Sequence, residues 1–151
     1  MAMTMKGEVA LPAARQIMWE KLNDPEVLKA CIPGCQTLER TENGGFTAVV
    51  KLKVGPVSAT FKGNVELTDL DPPNAYRIQG QGEGGIAGFA KGGAQVTLTD
   101  AEGGGTLLSY DVEANVGGKI AQLGARLIDG VAKKNADQFF ATFAEIVGQS
   151  A

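Results

Sequence analysis

The chain has no histidine among its 151 residues. That omission removes Ser-His and Cys-His nucleophile pairs, any histidine-ligated metal, and the commonest general base at neutral pH. An enzyme here would have to run on Glu, Lys or Tyr. Cysteine is scarce too. Cys31 and Cys35 alone suit a reducing compartment and supply no disulfide framework. Without further Cys or His they cannot complete a structural zinc site, so they read as buried thiols, with a redox pair as the unsupported alternative. No apolar run approaches the roughly 18 residues of a membrane span, and no signal-peptide stretch opens the chain. A cytoplasmic location is expected. Basic residues do not cluster along the sequence and the net charge is −3, which argues against a nucleic-acid partner.

Glycine, by contrast, is abundant: 21 residues, about twice the usual share. The glycines follow no period, so they serve turns, bends or empty space. Hydrophobic residues at 44% and charged residues at 21% are ordinary for a folded chain, and the length suits a single domain over 1–151.

Met3, Met5, Gly7 and Val9 alternate with polar residues as a half-buried strand does. Pro12 opens a helix through Ile17, Trp19 and Leu22. Asp24-Pro25-Glu26 caps and starts a second, short one, which ends before Pro33-Gly34. From Gln36 the period becomes two. Strands run through Phe46–Val54, Val57–Leu67, Tyr76–Gly82, Ala94–Leu98 and Leu108–Val116, separated by turn residues. After Gly117-Gly118 a helical period holds to about Val147, with Ile120, Leu123, Leu127, Ile128, Val131, Phe139, Phe143 and Ile146 on one face. This helix of about 30 residues, roughly 45 Å, is long enough to cover a whole sheet. The order β-α-α-β6-α is that of an α+β domain: a seven-stranded curved antiparallel sheet wrapped around a long C-terminal helix.

Gly63, Gly80, Gly82, Gly92, Ala94 and Ala114 fall on inward positions where a packed core would place larger residues, and Gly124 falls on the apolar face of the helix. Two readings stay open. The missing side chains leave a ligand cavity, since packed interiors hold few large voids; or the glycines let the sheet bend and the helix sit lower. The candidate lining is Trp19, Ile32, Phe61, Tyr76, Ile78, Phe89, Val96, Tyr110, Ile120, Leu123, Gly124, Leu127 and Ile128. Any one of these is more often core than contact, and the two tyrosine hydroxyls are the polar handles. The run Gly82-x-Gly84-Gly85-x-x-Gly88 is not a nucleotide loop, because strands flank it on both sides. Glu83, Asp111 and Glu113 face solvent by the alternation. No catalytic residue, cofactor or metal is expected.

Several segments resemble one family. They are Leu22-Asn23-Asp24-Pro25, Cys31-Ile32-Pro33-Gly34-Cys35, Val54-Gly55-Pro56-Val57, Phe61-Lys62-Gly63, the run from Gly84 to Gly92, the run from Gly117 to Gly124, Arg126-Leu127-Ile128-Asp129-Gly130 and Gln138-Phe139-Phe140. Taken together they resemble the CoxG family, the G subunits of carbon monoxide dehydrogenase, within the START-like (SRPBCC) superfamily, over nearly the whole chain. The resemblance implies a helix-grip fold and an accessory role beside a molybdenum-containing CO dehydrogenase or related hydroxylase, in membrane recruitment, maturation or electron hand-off to quinone. It suggests a hydrophobic small molecule, quinone or lipid, as ligand. Family members often continue into a hydrophobic anchor, whereas this chain stops at Ala151. Peripheral contact with the inner face of the membrane would then be made without a tail. A ligand-free protein-interaction module, and a START-like cyclase or hydrolase, are the alternatives.

Overall fold

In the computed structural model, residues 2–42 and 44–150 are described, the side chains of 149 and 150 excepted. Strand β1 (Ala2–Leu11) turns every second residue inward and is followed by two short helices, α1 (Arg15–Leu22) and α2 (Pro25–Cys31). The second starts as its sequence demands. Pro25 occupies the first turn, and the Asp24 carboxylate accepts a hydrogen bond from the Glu26 N–H at 3.0 Å.

Six strands then run as a meander: β2 (Cys35–Arg40), β3 (Phe46–Val54), β4 (Val57–Asp71), β5 (Ala75–Glu83), β6 (Phe89–Asp100) and β7 (Thr106–Gly117). All pairings are antiparallel and the order is β1-β7-β6-β5-β4-β3-β2, so the first strand joins the last and the edges are β1 and β2. The β3–β4 hairpin is tight, with Val54 opposite Val57 and Gly55 at φ +56°. The seven-stranded sheet with a long C-terminal helix is the expected helix-grip arrangement.

The helix is shorter than its periodicity suggests. Residues Lys119–Leu123 form a separate 3-10 turn, Gly124 reverses the backbone at φ +96°, and α3 proper spans Ala125–Ser150, 26 residues or about 39 Å. A left-handed φ cannot continue a right-handed helix, so Ile120, Leu123 and Gly124 belong to the connection and not to α3. None of the described helices is long and apolar enough to cross a membrane.

Packing divides into two buried groups. At one end α1, α2 and the last turns of α3 close on the sheet through Leu11, Met18, Tyr76, Leu98, Leu108, Phe143 and Val147. Thr106, fully buried, ties this end together by donating from its hydroxyl to the Ala13 carbonyl at 2.6 Å. At the other end Val54, Val116, Ile120 and Ile128 form a smaller group.

Candidate functional site

The small inward residues do lie side by side. Gly63 pairs with Gly82, Gly80 with Gly92, and Gly92 with Ala114, a band of missing side chains across β4 to β7. Their reasons differ. A methyl group at Gly63 would lie 2.4 Å from the Gln81 carbonyl oxygen, and one at Gly92 would lie 2.1 Å from that of Glu113. These two glycines permit a close approach of neighbouring strands, where the sheet coils sharply. At Gly82 the nearest atom would be 3.7 Å away, which is ordinary contact distance. There a side chain is simply missing. Both readings of the glycines therefore hold, at different residues.

Between the two buried groups the inner face is not sealed. Met5, Val50, Val65, Ala94, Val112 and Ala114 point toward the helix layer by the strand alternation, yet all remain half-buried and none belongs to either group. Apolar side chains aimed at a helix and still reached by water mark a gap. The gap is floored by the small band and bounded at one end by a stack of rings. Tyr110 lies flat on Phe140 at 5.4 Å between centroids, Phe139 meets Phe140 edge-on, and Phe139 stacks on Phe143. The Tyr110 ring fills the place over Gly7, where a methyl would lie 2.3 Å from its hydroxyl oxygen.

The expected lining residues separate into groups. Tyr76 and Val96 are buried in the larger group, with Ile78 packed on it and Trp19 edge-on to Tyr76 at 5.2 Å. Burial holds the Tyr76 phenol protonated well above its ordinary range. Ile120, Ile128, Phe61 and Leu123 make the smaller group. Ile32 caps α2, half-buried, in neither group. Leu127 is 37% exposed, its Cδ2 against Gly55 rather than over the sheet centre. Gly124 has open space around it.

Phe89 does not face the gap. Ala90, Gly92 and Ala94 take the inward positions of β6, so Phe89 points outward, covers Gly117 and is 47% exposed. Its odd number among even inward positions was the available signal. The inward residues missed from sequence, Met5, Val50, Val65 and Val112, carry the same parity signal on their own strands.

Chemistry is sparse. Among the described residues no cluster of His, Cys, Asp or Glu could hold a metal. Cys31 and Cys35 are free thiols, and the Cys35 thiol donates a hydrogen bond to the Thr37 carbonyl at 3.3 Å. Burial pushes Cys31 up to about 11, and burial also raises Cys35, opposed by the nearby Lys29 charge. Neither is a ready nucleophile. A polar groove of about 780 Å³ crosses the outer face of the sheet past Asn64, Gln79, Gln81 and Lys91, and an Arg77–Glu113 ion pair stands in it. A second, apolar depression of about 470 Å³ lies along the start of α3, lined by Leu123, Leu127, Gly130 and Val131 between Arg126 and Lys134.

Among solved structures, a conserved protein from Geobacillus kaustophilus superposes with a TM-score of 0.92 at 32% identity, covering 98% of this chain and 97% of that one. A START superfamily protein from Mycobacterium smegmatis matches at 0.71 and 14% identity, over 98% and 99% of the two chains. The Zhui aromatase/cyclase from Streptomyces sp. R1128 matches at 0.70 and 14%, over 97% and 94%. The latter two share the START-like fold alone. No protein of curated function matches the sequence. The family model for CoxG, the G subunit of carbon monoxide dehydrogenase, matches residues 7–148.

Proposed function

Because the chain belongs to the CoxG family of carbon monoxide dehydrogenase, we propose that it is a non-catalytic accessory protein of a molybdenum-containing CO dehydrogenase or related hydroxylase. In this reading residues 1–151 form one START-like domain that holds a quinone- or lipid-like chain between the sheet and α3. It works in the cytoplasm and at the inner face of the membrane, in recruitment, maturation or electron hand-off. The observation that carries the reading is the half-buried apolar band, which includes Val112 and Ala114, lying between two separate buried groups.

Energetics select the ligand class. The ceiling for very small ligands is about −1.5 kcal/mol per heavy atom, so carbon monoxide could gain only about −3 kcal/mol, weaker than millimolar. A chain burying ten methylenes gains roughly 8 kcal/mol before association costs, which brings micromolar binding within reach. Such a chain suits the apolar inner face of the sheet. On the inner face of the middle strands the hydroxyls of Tyr76, Thr106 and Tyr110 are the polar atoms; Tyr76 and Thr106 are buried and the Tyr110 ring lies flat on Phe140. A cyclase or hydrolase would need several polar groups aimed into the gap, and none of the middle strand positions supplies one.

Solvent extraction of the purified protein followed by mass spectrometry should yield a bound isoprenoid or acyl compound, and added quinone should bind stoichiometrically. Bulky residues at Ala94 and Ala114 should abolish both while the fold survives. An empty extract together with no uptake of added quinone or fatty acid would remove the ligand from the proposal.

A further inference from the structure

Three chain reversals meet at the end of the sheet where α3 begins. The β3–β4 turn brings Gly55 against Leu127, so near that an added methyl would lie 2.8 Å from Leu127 Cδ2. The β5–β6 loop sets Gly88 against Gly118, where a methyl on Gly118 would lie 2.4 Å from the Gly88 Cα. These turns, with the β7–α3 connection, rim one end of the gap.

Three of the four large apolar side chains exposed among the described residues stand on this rim: Ile86 at the loop tip, 89% exposed, with Phe89 and Leu127. The fourth, Leu70, is at the far end of β4. Scattered single apolar residues are normal on a protein surface, but a group gathered at one end of the sheet is not.

Charge divides the same way. Residues 53–58, 83–91 and 117–134 hold six Lys or Arg and two carboxylates, Glu83 and Asp129, leaving eight cations and fifteen carboxylates for the rest of the chain. Lys133 pairs with Asp137, but Lys53, Lys91, Lys119, Arg126 and Lys134 are exposed and in no ion pair among the described residues. In sequence these cations are scattered; the fold assembles them.

From this juxtaposition we infer that the rim docks onto an anionic lipid bilayer, with Ile86 and Phe89 entering the acyl boundary and the surrounding cations meeting headgroup phosphates. Apolar tips ringed by Lys and Arg are what an interfacial site requires. A nucleic acid would use the cations but gain nothing from a bare isoleucine. The inference rests on the ligand reading above and gives it a route: with the rim docked, parting of the smaller buried group of Val54, Val116, Ile120 and Ile128 would open the gap onto hydrocarbon, so that an acyl or isoprenoid chain enters without crossing water.

The test is flotation of the purified protein with vesicles of phosphatidylcholine containing about one-third phosphatidylglycerol. Binding is expected to these and not to pure phosphatidylcholine, and to weaken as ionic strength rises from about 0.1 to 1 M. Ile86→Asp should lower partitioning at least about ten-fold, and Lys119→Gln or Arg126→Gln about five-fold each. Quinone binding in detergent solution, measured on the same variants, should not change; its loss in the parent protein would strike the ligand reading and not the docking face. Equal binding to neutral vesicles, or anionic binding indifferent to all three substitutions, would overturn the inference. So would variants that float normally yet fail to copurify with the dehydrogenase, which would make the rim a protein face.

Discussion

Ala114→Leu separates an open gap from a packed interior by the sign of its effect. Ala114 points inward on β7, half-buried, beside Gly92, which offers no side chain to collide with. Leucine adds three carbons. In a filled core, extra carbons force strain and cost about 1–3 kcal/mol. In a gap they bury against the walls at about 0.8 kcal/mol each, roughly 2.4 kcal/mol, less about 0.5–1 kcal/mol of side-chain entropy. A net gain of about 1–2 kcal/mol follows, or some 2–8 °C in Tm for a chain of this size. Urea unfolding followed by fluorescence of the single tryptophan, Trp19, reports it directly, because that ring packs edge-on to Tyr76 in the larger buried group. Ligand should be measured alongside, since the filled variant gains stability while losing occupancy. Destabilisation of about 1 kcal/mol or more would show that the inner face already touches its lid, and the carrier reading would fail with it.

Other substitutions probe what holds the frame. Phe143→Ala removes a ring that is 0% exposed and stacked on Phe139, and should cost about 3–5 kcal/mol by chemical denaturation. Thr106→Val keeps the shape but leaves the Ala13 carbonyl without its donor, so a loss of about 1–3 kcal/mol is expected in the same assay. Burial favours the neutral thiol of Cys31, raising it from 9.0 to about 11, so iodoacetamide at pH 8 should leave Cys31 intact in the folded protein and modify it after denaturation. The same shift makes the folded state lose stability as pH climbs from about 9 toward 11, with its contribution fully present below that window; a flat denaturation midpoint across it would contradict the assignment.

Much of the frame was legible because it rests on local periodicity. The alternation in β1, β4 and β7 and the Asp24-Pro25-Glu26 start of α2 need no tertiary knowledge. The beginning of α3 was misplaced because Ile120 and Leu123 fall in phase with Leu127 and Ile128, and a 3-10 turn mimics helical spacing until Gly124 breaks it. Whether a glycine marks a bend or a void is invisible in one dimension. It depends on how near the next strand comes, as the contrast between Gly92 and Gly82 shows. The cationic rim was hidden for a related reason, since the segments that carry Lys53, Lys91 and Lys119 reach one end of the sheet only after three reversals of the chain.

The attachment of α3 is lopsided. In its first ten residues only Ile128 is buried, while Phe143 and Val147 farther along are sealed completely and flanked by Phe139, Phe140 and Ile146. The helix is therefore a bar clamped at its tail, and at its head Gly124, at φ +96° with open space around it, joins it to the connection. Amides of 128–134 should exchange with deuterium orders of magnitude sooner than those of 139–147. On the proposed carrier reading, a bulky guest would lift the free half without disturbing the clamp that keeps the protein folded.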